Sequence, residues 1–529
     1  MPSATHSMFP ATEQALLSPV ELNTLATLML PGLPQTNSSH TAPDEAPQPS
    51  VSFAPAVEDE EEHAEDDADP AFLEEPDYTP DNTNSLPIPA GYTYICQFIA
   101  HDIIADSHFH IGGRHTSALL NLDSMYGNDG SGDPIRSIEA HYFDSESGRF
   151  LTQTHDVHRV PPGTIENAPW ATAWMPEQRN DENAIVLQLH SLFQSLHNAF
   201  ISALPATQTD SALPATQTDI AERIITARRY TVAVFHHVVI NDLLPKLVLA
   251  DCHEYFFNKL GPFYYDTSRP YTEVPAEFKL ASFRFGHSML RPRYHLKTEH
   301  SQSFSLDEIM RRPPFDPLEE AHVIDWSALF FDPLENEGLQ QIASPIDLFI
   351  TSDMATVPHP TNPRAGRNIA QLNLLAGIKL GLNSAESILR AITTEPHFKP
   401  FAEHFQQRLN HRKLMLTSPG QETDFIYALL AVLQEQQRTP LWLYTLQENL
   451  TDYPDNNQYK LGLVASAINC DVLRSSMYEC YRNSEQDGIA QLADNLTTTI
   501  QQAFACLGEP LHTMADITTF LTTRSQSDE

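Results

Sequence analysis

The sequence predicts a mainly α-helical protein with few short strands. Two observations carry that prediction. After residue 86, long stretches place apolar residues every three or four positions, the spacing of one helical face. Segments that alternate apolar with polar residues are few and short. A third observation, the acidic and proline-rich character of residues 1–85, confines the helical pattern to the rest of the chain.

The first 85 residues are rich in Pro, Ser, Thr, Ala and acid, and contain the run EDEEEHAEDDAD at 58–69. Such a segment offers too little apolar surface to offset its ordering entropy, so a disordered acidic tail is expected over 1–85. Before Arg114, the first basic residue, 19 Asp and Glu stand against no Lys or Arg. That lacks the positive start of a secretory signal and the arginines of a mitochondrial leader. The apolar stretch from Leu16 to Leu33 is interrupted by polar residues and prolines. No run reaches the roughly eighteen apolar residues of a membrane span. The expected location is cytoplasmic, or outside the cell without a recognisable signal peptide.

A hydrophobic content of 41% over 529 residues permits a sizeable core. The formal charge of −38 repels phosphate and argues against nucleic acid and anionic membranes as partners. Cys96, Cys252, Cys470, Cys480 and Cys506 are odd in number and show no CxxC or close His pairing. They read as buried thiols in a reducing compartment.

In order along the chain, GYTYICQFIAHDIIADSH (91–108) is the first helix-like run. NDENAIVLQLHSLFQSLHNAFISAL follows, with Ile185, Leu189, Leu192, Leu196 and Phe200 on one face and Asn180 or Asp181 as N-cap. TDIAERIITARRYTVAVFHHVVINDLLPKLV is expected to end around Pro245. Further helices are expected around 369–381, 384–393, 423–436, 459–470 and 488–506, with residues 523–529 as a C-terminal tail. Between the second and third runs, SALPATQTD occurs twice, at 202–210 and 211–219. One duplication cannot build a solenoid, so it reads as a surface loop without function.

The candidate functional groups are polar residues within apolar helices. Gln97 and His101 are four apart and share a helical face. Arg179 precedes the NDEN helix start, with Glu182 just after it; His287 lies in ASFRFGHSMLRP and Asn373 in NIAQLNLLAGIKLGL. With 24 histidines in the chain, any one alone is most simply a surface or satisfied core residue. His101 and His287 are 186 residues apart, and no metal motif is visible. His190 and His197, seven apart on one helix, read as packing or hydrogen bonding within it. His236 and His237 point to different faces and cannot form a two-ligand site.

Taken together and in order, the segments CQFIAHDI, NLDSMYGND, PEQRNDENAIVLQLHSLFQSLHN, FRFGHSML and AQLNLLAGIKLGL resemble those of the animal-type haem peroxidase superfamily, particularly its bacterial members. PLWLYTLQENL and LGLVASAI add weaker agreement. The resemblance spans about 86 to 520 and implies a helical haem peroxidase fold, of the animal and cyclooxygenase-like kind, with a catalytic domain over 86–522. It implies haem b with His287 as proximal iron ligand and Asn373 accepting that imidazole's other N–H through its side-chain carbonyl. Arg284 resembles the arginine that reaches a haem propionate. The catalytic residues implied are His101 as acid–base, Arg179 as charge stabiliser and Gln97 as a hydrogen-bonding partner of the distal water or bound substrate. The implied reaction reduces hydrogen peroxide through a ferryl haem and oxidises a small-molecule electron donor. Phenols and easily oxidised halides or pseudohalides are the expected donors, with a role in the response to oxidative stress.

Several positions depart from the family pattern. Ala100 stands where vertebrate members carry an aspartate ester-linked to the haem, whereas Glu182 matches the second ester-forming acid, so one link through Glu182 is open. Asn183 replaces the methionine of the strongest halide oxidisers. Fewer electron-withdrawing links imply a milder oxidant. A calcium site is suggested by Asp102 with Ser117, Asn121 and Asp123, although Asn121 stands where a carboxylate is usual. Ala376 replaces a common arginine. The alternatives are a haem fatty-acid dioxygenase, which would need a tyrosine where Arg284 stands, and a catalytically silent haem-binding protein.

Overall fold

The computed structural model describes residues 7–9, 14, 16–30, 86–104, 117–128, 143–152, 156–160, 172–173, 175–205, 217–265, 271–298, 302–310, 317–335, 341–359, 362–411, 425–452 and 459–528. The acidic run 58–69 and the middle of the SALPATQTD duplication lie outside these residues.

Among the described residues the helices are α1 (Pro19–Leu28), α2 (Gly91–Ile103), α3 (Asp123–Tyr126), α4 (Ala184–Ala203), α5 (Gln217–Val238), α6 (Leu244–Leu247), α7 (Ala250–His253) and α8 (Leu306–Ile309). They continue with α9 (Ile369–Lys379), α10 (Ala385–Thr394), α11 (Lys399–His404), α12 (Gln406–His411), α13 (Phe425–Glu435), α14 (Leu441–Asp452), α15 (Leu463–Glu479), α16 (Ile489–Leu507) and α17 (Met514–Asp528). The strands form four short two-stranded antiparallel ribbons. The mainly helical class expected from the apolar spacing is therefore observed. None of the described helices is long and apolar enough to cross a membrane.

The centre of the core follows from helical faces meeting. Phe98 of α2 stacks on Phe193 of α4 at 5.5 Å, and Phe235 of α5 meets both rings edge-on at 6.0 and 5.0 Å. Such aromatic clusters add specific geometry to the burial of large apolar surfaces. At the start of α2, Gly91 lies so close to Phe330 that a Cβ would sit 2.6 Å from its ring. Only glycine allows that approach. All five cysteines are free thiols; Cys96, Cys252 and Cys470 are buried and Cys480 and Cys506 partly so.

Four boundaries differ from expectation. Helix α4 is capped by Asn183, whose Oδ1 accepts from Ile185 N and Val186 N, because Gln178–Asp181 first forms a separate 3-10 turn. The helix begun by α5 does not stop at Pro245. It passes through a π-turn at Val239–Leu243 and resumes as α6, with the proline in its first turn, where a missing N–H is tolerated. The C-terminal tail is helical through Asp528. The disordered reading of 1–85 fails for residues 16–30. Ser18 and Glu21 form a capping box for α1, and Leu22, Leu25, Ala26 and Met29 are buried. That helix lies beside α9: Asn368 Nδ2 donates to Ala26 O and Ile350 N to Met29 O. Its apolar side, hidden in a proline-rich and acidic context, is what composition alone averaged away.

Candidate active site

One cavity of about 470 Å³ gathers residues from α2, the turn before α4, the segment around 279–290, and α9. Gln97, His101, Arg179, Glu182, Arg284, His287 and Asn373 all line it. These seven side chains, scattered between positions 97 and 373, are thus brought together. Its size lies within the usual range for small-molecule and cofactor sites, roughly 300–1,000 Å³.

Helix α2 contributes Thr93, Gln97 and His101, spaced four apart, with Ala100 and Ile104 beside them. The His101 Nδ1 lies 2.8 Å from Asn180 Oδ1. Arg179 Nη2 donates to His101 O at 3.1 Å and Ile104 O at 2.8 Å, so it caps the last carbonyls of α2. Glu177 holds the same guanidinium through Nε and Nη2, at 3.0 and 2.8 Å. Arg179 keeps the Glu177 carboxyl below its ordinary range against the opposing effect of burial. The next acid on this turn, Asp181, is paired with Arg159, which also grips Asp156.

Another wall carries His287, in the 3-10 turn Phe285–His287 that follows a π-turn at Phe278–Ser282. Asn373 Nδ2 faces His287 Nδ1 at 2.8 Å, while Asn373 Oδ1 accepts from Arg284 Nη1 at 2.6 Å. This reverses the expected polarity, in which the Asn373 carbonyl serves the imidazole. The reason is Arg284: a guanidinium only donates, so it claims the carbonyl and turns the amide nitrogen to His287. Burial, with Arg284 adding to it, pushes His287 down to about 3, so the imidazole is neutral. Burial also pushes Arg284 down to about 10 and lowers Lys279, another cation of the cavity wall.

The residues present fit a haem. Two neutral-capable imidazoles reach one cavity, and cations stand ready for carboxylates at its wall. Thr93 Oγ1 is buried there without a partner. A Cβ at Gly286 would meet nothing within 4 Å, which leaves space beside His287. The calcium expectation meets a different geometry. Asp102 accepts Leu122 N at 2.9 Å and Ser124 N at 2.7 Å, holding Leu122 at φ 60, a left-handed conformation that is costly for leucine. Asp123 accepts from Ser117, Asn128 and Arg228. The carboxylates are thus engaged within the chain, and the described residues hold no group of three or more His, Cys, Asp or Glu side chains placed to hold a metal ion.

Other histidines have structural partners. His197 lies between Tyr126 OH at 3.0 Å and Gly148 O at 3.1 Å, and His236 bonds Tyr481 OH and Leu120 O. His237 instead bonds His512 and Asn241. Glu177, Asn180 and Lys279 escaped sequence reasoning. Only a carboxylate two residues from Arg179 and an amide next to it hinted at the first two.

No curated protein sequence matches the chain. Among solved structures, it is similar to fatty acid alpha-dioxygenase of Arabidopsis thaliana, at 14% identity over 84% of this chain and 72% of that one, with a TM-score of 0.50. Peroxidase A of Dictyostelium discoideum matches at 14% identity over 82% and 88%, with a TM-score of 0.49. The Oryza sativa alpha-dioxygenase matches at 11% over 83% and 77%, with a TM-score of 0.46. The sequence model of the animal haem peroxidase family matches residues 115–414. That span holds Arg179, Glu182, Arg284, His287 and Asn373, and begins after Gln97 and His101, which α2 carries into the same cavity. With more than half its length matched, the chain belongs to the animal haem peroxidase family, whose members bind haem and act as oxidoreductases.

Proposed function

We propose that this chain is a haem-dependent peroxidase that reduces hydrogen peroxide and oxidises small phenolic or easily oxidised halide and pseudohalide donors. The observation behind the reading is the convergence of Gln97, His101, Arg179, Arg284, His287 and Asn373 on one cavity. When bound, haem b supplies the redox-active iron. His287 would hold that iron through Nε2, which requires the ring proton on Nδ1. Asn373 must then turn its carbonyl to Nδ1, and Arg284, released from Asn373, becomes available with Lys279 for the haem carboxylates.

His101 supplies the proton chemistry. Its Nδ1–H donates to Asn180, so Nε2 is the basic nitrogen. Nε2 takes a proton from hydrogen peroxide and returns one to the oxygen that departs as water. Gln97, one turn away, orients the substrate. Arg179 stabilises negative charge, but its pairing with Glu177 leaves the couple near neutral and weakens that contribution.

Ala100 cannot form an ester, and Glu182 is the one carboxylate among the described residues lining the cavity. Fewer links to the haem favour the milder donors over chloride. Tyrosyl-radical dioxygenation of fatty acids is disfavoured because Arg284 stands three residues before His287 and no described lining residue is a tyrosine. The test uses the purified protein. It should show a Soret band and oxidise a phenolic dye with hydrogen peroxide, and His287→Ala should lose the band. A normal histidine-ligated spectrum in His287→Ala would overturn the ligand assignment. Oxygen uptake with a polyunsaturated acid, without dye oxidation, would overturn the reaction.

A further inference from the structure

We propose that Asn180 is a positioning residue that, anchored by His190 and Gln194, fixes which ring nitrogen of His101 is basic. This rests on the peroxidase reading for its catalytic meaning, although the hydrogen-bond chain itself does not require haem.

Asn180 is fully buried, with its Oδ1 2.8 Å from His101 Nδ1 and its Nδ2 3.1 Å from His190 Nδ1. His190 is also fully buried, and burial pushes it down to about 3, so it is a neutral imidazole. With Nδ1 accepting from Asn180, its one proton sits on Nε2. That proton needs an acceptor, and the amide of Gln194 lies 3.2 Å from Nε2. Gln194 Oε1 is a buried acceptor with no partner, and turning this amide would present it to that proton.

The chain then has one direction. Gln194 Oε1 accepts from His190 Nε2–H, His190 Nδ1 accepts from Asn180 Nδ2–H, and Asn180 Oδ1 accepts from His101 Nδ1–H. His101 Nε2 is left as the lone-pair nitrogen. The opposite direction, with Gln194 donating to His190 and Asn180 Nδ2 to His101 Nδ1, would put the His101 proton on Nε2; the placement of Asn180 Oδ1 at His101 and Nδ2 at His190 selects the first. A catalytic imidazole is commonly oriented by a third group in this way; here the orienting group is a neutral amide, so it fixes the tautomer and favours the charged ring less than a carboxylate would. Charges near His101 come from Glu177, Arg179 and Glu182 on the adjoining turn and from Lys279 and Arg284 elsewhere on the cavity wall, while the carboxylate of neighbouring Asp102 is turned to Leu122 N and Ser124 N.

Two measurements test this. In haem-free protein labelled with ¹⁵N-histidine, with His101 identified by its loss in His101→Gln, the His101 signals should report a protonated Nδ1 and a bare Nε2. Asn180→Leu should shift them to a tautomer mixture. In haem-loaded protein, Asn180→Asp keeps the acceptor oxygen but adds charge. It should raise the acid limb of the peroxide reaction by about one pH unit or more, with the Soret band unchanged. Asn180→Leu should slow that reaction about 10- to 100-fold. A bare Nδ1 on His101 in the parent protein, or tautomer signals unmoved by Asn180→Leu, would overturn the proposal. So would an acid limb unmoved in Asn180→Asp. If the protein bound haem but ignored peroxide, the peroxidase reading would fail while the tautomer signals still decided the role of Asn180.

Discussion

At the scale of single residues, the site depends on groups that hold other groups. Arg159 joins Asp156 and Asp181 with its guanidinium almost wholly buried, its side chain 5% exposed. Asp181 lies between Asn180 and Glu182, so this pairing braces the turn that faces His101. Arg159→Met should remove the cation that two buried carboxylates share and cost about 3–5 kcal/mol, read as a lower denaturant midpoint. A change below about 1 kcal/mol would show that the carboxylates find water or protonate without strain. Gln97, His101, Arg179 and His287 were legible because each stands in a short segment with family character. Asn180 and Glu177 were not, since their importance comes from touching residues far away in sequence: His101 is 79 positions from Asn180. The orientation of Asn373 was illegible for the same reason. It is decided by Arg284, 89 positions earlier.

At the scale of elements, the helices that periodicity marked most strongly are those that build the core, α4 and α5 among them. Their ends were less legible, because ends depend on partners. Asn183 displaced Asn180 and Asp181 as the cap of α4 once the preceding turn closed on itself. Helix α1 shows the opposite limit: ten residues with a good capping box, masked by their neighbourhood. The helix packs beside α9, which carries Asn373, and its Leu25 is fully buried. Leu25→Ala should therefore cost about 2–5 kcal/mol in thermal or chemical unfolding. A loss below about 0.5 kcal/mol would mean that α1 contributes no core, as expected of a solvated tail. The same packing links the N-terminal segment to the wall of the cavity, a connection with no trace in composition.

At the scale of the whole molecule, buried neutral histidines set the response to pH. Burial pushes His190 down to about 3, and His197, His236 and His237 each to about 4. Unfolded histidine titrates near 6.5, so below that value the unfolded chain takes up protons that the folded chain refuses. Stability is thus present above about pH 6.5 and is lost as pH falls toward 4. Asp102 and Asp347, raised by burial to about 7, act the other way, favouring the folded state as they protonate. Burial lowers His253 and His287 as well and raises Asp123, Asp353 and Asp471, so six histidines face five raised carboxyls and the thermal midpoint should fall between pH 6.5 and 4. A flat or rising midpoint over that window would contradict this balance. The cavity itself is also a whole-molecule property. It is assembled from segments near 97, 179, 287 and 373, and the sequence could suggest their partnership only through resemblance.

The central claim is that His101 and His287 serve one haem in different roles, one moving protons and the other holding iron. It is tested most directly by mixing haem-loaded protein with hydrogen peroxide and following the Soret band in parent and His101→Gln. The account predicts identical resting spectra and a Soret change slowed about 10²- to 10⁴-fold in the variant. Equal rates in the two proteins, or loss of the resting spectrum on changing His101, would contradict it.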